Sequence, residues 1–110
     1  MTELNINFYR VSKLDPRYSQ NLCDITNIRS QSSANFVLDL IGVEDSDITI
    51  DVKKDWFENL INKLKSMKSQ MMPGMQYYNL VEYLIGRINF IADEIDWDLD
   101  DVKMYVGYWD

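Results

Sequence analysis

An α+β domain, a small antiparallel sheet of about four strands packed against an antiparallel pair of amphipathic helices, is what this sequence predicts. Three observations carry it. Leu4, Ile6 and Phe8 alternate with polar residues at strand period. Two long segments in the second half hold apolar residues at helical period, and a Met71-Met72-Pro73-Gly74-Met75 break separates them. Residues 101–109 alternate again, with large aromatics on both faces. The chain of 110 residues suits a single domain, and its 46% hydrophobic content supplies a core.

The first strand is expected near 4–11. Asp15-Pro16 then carries the residues of a helix start, and Tyr18, Leu22, Ile25 and Ile28 follow at near-helical spacing. A short helix or ordered loop is predicted there. Phe36-Val37-Leu38 and Leu40-Ile41 have the content of a strand, placed near 35–42. Across the polar stretch Glu44-Asp45-Ser46-Asp47, a partner strand near 47–51 would complete a hairpin. Asp51 reads as the cap of a helix over 52–70, striped by Val52, Trp56, Leu60, Leu64 and Met67 and carrying Lys53, Lys54, Lys63, Lys65 and Lys68 on its polar side.

The second helix, near 76–95, holds Tyr77, Leu80, Val81, Leu84, Ile85, Ile88, Ile91, Ala92 and Ile95 in one stripe. Tyr83 and Phe90 lie off it, which predicts contact on a second side. Gly86 costs about 1 kcal/mol against alanine in a helix interior, and close packing against a neighbour is the expected compensation. Trp56, Leu60, Leu84, Ile88 and Ile91 are the predicted core centres. Met67, Met71, Met72 and Met75 are expected to fill the corner between the helices. The final strand, apolar on both faces, belongs centrally in the sheet.

Composition excludes several classes of chemistry. With no histidine and a single cysteine, the chain has no His-based acid–base pair, no internal disulfide and no Cys/His metal cluster. Cys23 beside Asp24 lacks the electropositive setting of a reactive thiol and reads as a small buried residue. The four glycines, at 42, 74, 86 and 107, form no phosphate-cradling loop. Asp96, Asp98 and Asp100 alternate as in a calcium loop, but Asp101 and Gly107 stand where the turn glycine and the bidentate glutamate belong. No cofactor and no metal is expected. The apolar runs are too short to span a bilayer, the first residues carry no leader-like pattern, and cytoplasmic residence is the expectation.

The net charge is −7, and residues 93–110 hold seven acids against the one base Lys103. A second acidic stretch over 35–55 has six acids and two bases. Such charge opposes direct nucleic-acid and anionic-membrane binding and favours a protein partner with a basic surface. The predicted partner-binding residues are Asp96, Trp97, Asp98, Asp100, Asp101, Tyr105 and Trp109, with Glu44, Asp45 and Asp47 from the second stretch. Trp and Tyr supply binding energy, and acids supply steering.

The function expected is therefore a non-enzymatic inhibitor or regulator of a basic nucleic-acid-handling protein or toxin. Immunity proteins and phage anti-defence inhibitors are of this kind. The alternative is a homo-oligomeric structural or assembly protein, at its simplest a homodimer joined by the aromatic strand. Less favoured is a small enzyme built on carboxylates and tyrosines.

Overall fold

A computed structural model describes residues 2–44 and 46–109. Its elements run β1 (Glu3–Ser12), β2 (Ser19–Ile28), α1 (Gln31–Ile41), β3 (Ile48–Val52), α2 (Lys54–Ser69), α3 (Tyr78–Asp93) and β4 (Asp100–Trp109). The α+β class stands. The four strands form one sheet in the order β2-β1-β4-β3, every neighbouring pair antiparallel, so β4 is interior as predicted, although only its Val102, Met104 and Val106 face is buried and the face with Asp101 and Lys103 is open.

Strand parity divides the sheet into two faces. Leu4, Ile6 and Phe8 of β1 stand opposite Tyr108, Val106 and Met104 of β4, and this row faces the helices. Ile25 and Cys23 extend it into β2, and Ile48, Ile50 and Val52 extend it into β3. These residues join Val37, Phe57, Leu64, Val81, Ile88 and Ile91 of the helices in one core. Cys23 is buried as a small packing residue. Leu60, Leu84, Ile88 and Ile91 are buried as predicted, while Trp56 is half-buried at the margin of a stripe centred on Phe57, Leu60 and Leu64.

Two elements exchange type relative to the sequence reading. The segment after Asp15-Pro16 is strand β2 and not a helix or loop, because β2 carries two irregularities. Between Leu4 and Ile6 of β1 the paired residues on β2 advance from Ile28 to Ile25, and between Phe8 and Tyr9 they advance from Cys23 to Asn21. Each extra residue is a bulge, and one of them stretches the apolar interval to three, which imitates a helix turn. Asp15 and Pro16 occupy the first two positions of a β-turn closed by Tyr18 N–H donating to Asp15 C=O at 3.0 Å.

Conversely, 36–41 lies in helix α1 and not in a strand. Its buried residues Ala34, Val37 and Leu38 have helical spacing. The Ser30 side chain caps it by accepting from Ser33 N–H at 3.1 Å, and Gly42 ends it at φ 74°. These caps outweigh the β-branched and aromatic content of Phe36-Val37.

Smaller corrections follow. Asp51 and Val52 belong to β3, so Asp51 does not cap α2; Lys53 takes that position with no side-chain hydrogen bond. Gly86 is exposed with open space around it, so no close packing offsets its cost. Phe90 is 52% exposed, not covered on a second side. Tyr83 is also exposed but reaches β2, accepting from Thr26 N–H at 3.3 Å. Met72 and Met75 are exposed and do not fill a corner; Phe36 stacked on Tyr77 at 4.4 Å joins α1 to the start of α3 instead. Among the described residues no helix is long and apolar enough to cross a membrane.

Candidate functional site

All three helices bury their apolar stripes against one face of the sheet, which leaves the other face open. Register assembles that face row by row. Glu3 lies opposite Trp109, Asn5 opposite Gly107, Asn7 opposite Tyr105, Tyr9 opposite Lys103, and Val11 opposite Asp101. β3 adds Thr49 beside Tyr105 and Asp51 beside Lys103. β2 adds Asp24 beside Asn7 and Asn21 beside Tyr9. The two acidic stretches of the sequence thus meet along the β3–β4 ladder. Counting Asp47, which Tyr105 contacts, the face carries five acids among the described residues, Glu3, Asp24, Asp47, Asp51 and Asp101, against Lys103 and, at the end of β3, Lys53.

Its side chains are held in place. Lys103 Nζ donates to Asp51 at 2.7 Å, which lowers the Asp51 carboxyl and raises the Lys103 ammonium from their ordinary values. Asn7 donates to Asp24 at 2.7 Å, and Asn21 donates to the same carboxylate at 3.2 Å. The Tyr105 hydroxyl donates to Asp47; that bond first, then burial and the Asp47 charge, raise the phenol from its ordinary value. Asp47 itself sits at φ 58°, a left-handed turn residue that Asp tolerates.

Gly107 explains the aromatic end. A Cβ there would lie 2.8 Å from Trp109 Cη2 and 3.3 Å from Tyr105 Cε1. The indole therefore lies over the glycine, with the Tyr105 ring on the same side, where glycine alone admits it. Trp109 remains 53% exposed.

The predicted residues do not form one patch. Asp101, Tyr105, Trp109 and Asp47 converge on the open face. Asp96, Trp97 and Asp98 lie in the α3–β4 turn, where the Asp96 carboxylate accepts from Asp98 N–H at 3.0 Å. Ten residues of β4 at ~3.3 Å each put roughly 30 Å between that turn and Trp109. Trp97 turns inward, edge-on to Phe57 at 5.5 Å, and serves the core. Asp100 has the helix-facing parity and pairs with Arg10 at 3.8 Å. Glu44 is exposed in the α1–β3 connection, and Asp45 lies outside the described residues.

Sequence reasoning missed Glu3, Tyr9, Asp24 and Asp51. The signal for the first two was available, since the polar row Glu3, Asn5, Asn7, Tyr9 is the complement of the buried one. It also missed the β1–β2 turn, where Leu14 is 86% exposed. There Ser12 Oγ accepts from Leu14 N–H at 3.2 Å and Asp15 N–H at 3.3 Å, while Lys13 N–H donates to Leu99 C=O at 2.9 Å.

One recess of about 160 Å³ opens between Asp51, Lys53, Asp101 and Lys103, but the Lys103–Asp51 pair fills its polar side with a satisfied ion pair. Among the described residues no three His, Cys, Asp or Glu side chains are grouped to hold a metal ion. No protein-family model, curated protein or solved structure matches the chain. The functional reading rests on the geometry and charge of this face.

Proposed function

We propose that the protein is a non-enzymatic binding protein that inhibits or regulates a protein with a basic surface, and that the open face of the sheet is its working surface. The observation that carries this is the coincidence on one face of five acids, two bases and a half-exposed tryptophan among the described residues. Acids spread over a sheet steer a basic partner and fix its register, while desolvated aromatics supply affinity. The three helices balance Asp39, Asp55, Glu58, Glu82 and Asp93 against Lys54, Lys63, Lys65, Lys68 and Arg87, so the helical side is near neutral while the open face is acidic. That asymmetry turns the acidic face toward a cationic target during encounter. A basic nucleic-acid-binding protein or toxin has the complementary surface, and covering it would block its substrate. Immunity proteins and phage anti-defence inhibitors act in this way, and this chain fits that class by charge and size.

The test is kinetic. With a partner captured by the wild-type protein, Trp109→Ala should speed dissociation by about 2 kcal/mol, or roughly thirtyfold, as expected of a hot spot. If Trp109→Ala and Tyr105→Ala both leave dissociation unchanged, the open face is not the interface.

A further inference from the structure

The sheet has two edges, and they are treated differently. On β2 the edge is closed. Two bulges break its regularity, and α3 reaches over it: Arg87 donates to Asp24 C=O from Nε at 3.2 Å and Nη2 at 2.6 Å. Tyr83 takes the Thr26 N–H, and the Arg87 guanidinium lies 5.9 Å from the Tyr83 ring centre. Bulges and covering side chains are how sheets protect an edge from a further strand.

The β3 edge has none of this. Its register with β4 is unbroken from Ile48↔Val106 to Val52↔Val102. Outside that ladder, the backbone of residues 48–52 makes no hydrogen bond among the described residues. The strand contains neither proline nor lysine. Alternate residues of an edge strand direct their N–H and C=O groups outward, so these groups await a partner.

Side-chain chemistry specifies that partner. On the open-face side of β3 lie Thr49 and Asp51, with Asp47 just before the strand, Lys53 just after it and Asp101 on the neighbouring β4. On the other side Ile48 and Ile50 are only half-buried at the margin of the core. We infer that β3 is the docking edge for an extended segment of the basic partner, which adds as a fifth strand with Lys or Arg on the acidic side and apolar residues over Ile48 and Ile50. Main-chain bonds give such addition its affinity, and alternate side chains give it specificity. Five residues of β3 set the length read to about five. This inference rests on the basic-partner reading and adds to it the geometry of engagement.

The probe is an acetylated, amidated pentapeptide alternating Arg and Val, titrated into the intact protein while backbone amide resonances are followed. Two isomers of it each carry two N-methyl groups, one on the two Val nitrogens and the other on two of the three Arg nitrogens; a Glu/Val peptide is the charge control. Strand addition predicts saturable shifts concentrated at 46–52 and none at 19–28. It also predicts that one methylated isomer binds about tenfold or more weakly, since two net hydrogen bonds are worth about that factor. The other isomer, methylated on the side facing solvent, should bind like the parent, and the Glu/Val peptide should not bind. Equal binding by both isomers would overturn strand addition while leaving charge-driven docking on the face intact. Shifts centred on 19–28, equal binding of the Glu/Val peptide, or no saturable shift would each overturn the inference as well.

Discussion

Replacing Ile88 by alanine tests the packing of the helical layer on the sheet. Ile88 is 1% exposed and borders a small apolar gap with Phe8, Ile25, Leu60 and Leu64. The substitution removes three carbons, worth about 0.8 kcal/mol each in transfer, or ~2.4 kcal/mol. The sheet and two helices that surround it cannot collapse fully into the space, so a cavity term of about 1 kcal/mol or more adds to this. The expected loss is roughly 3–4 kcal/mol, a large part of the ~5–15 kcal/mol a domain of this size possesses. Phe90, two residues along the same helix, is the internal control. Being half-exposed, it should lose under about 1 kcal/mol on change to alanine. Urea titration of both variants, fitted with a common slope, reads the difference. If Ile88→Ala costs less than about 1 kcal/mol, or if Phe90→Ala costs as much as Ile88→Ala, α3 presents a different face to the sheet than described.

Two further outcomes are expected. Gly107→Ala should push the Trp109 indole off the strand, because the new methyl would meet the far end of a side chain free to swing outward. Stability should stay within about 1 kcal/mol of wild type, while Trp109 fluorescence and partner dissociation change; an unchanged indole environment would contradict the packing. Tyr105 should ionise above the ordinary tyrosine value of about 10 because its protonated form donates to Asp47. With the folded value raised, this contribution is complete below the unfolded value and is lost as pH rises through the folded one. Asp47→Asn should bring the Tyr105 titration, followed by NMR of its ring, back toward the ordinary range; no change would remove Asp47 as the cause.

Periodicity made much of the fold legible. β1, β4, α2 and α3 followed from the spacing of Leu4/Ile6/Phe8, Val102/Met104/Val106, Leu60/Leu64 and Leu84/Ile88/Ile91, each of which buries one face of its element. β2 and α1 were not legible by content. A bulge turned a two-residue interval into three at Ile25 and Ile28, and the helix of Val37 and Leu38 was declared by Ser30 and Gly42 at its ends. The site was half-legible for a related reason. Acids and aromatics in 93–110 were visible, but parity separates neighbours: Asp100 faces Arg10 on the helix side and Asp101 faces solvent. Which acids from β1, β2 and β3 join Asp101 and Tyr105 depends on strand order, and no local pattern encodes that.

The central claim, that the open face and not the α3–β4 turn meets a basic partner, is tested most directly by association rates over a range of salt. Two variants are compared with wild type by stopped flow on the captured partner. One carries Asp47→Asn, Asp51→Asn and Asp101→Asn on the face; the other carries Asp96→Asn and Asp98→Asn in the turn. Both keep the core untouched, since all five side chains are exposed. The face variant should associate about tenfold or more slowly with a flattened salt dependence, the turn variant close to wild type. A slowed turn variant beside an unaffected face variant would contradict the account and move the interface to the other end of β4.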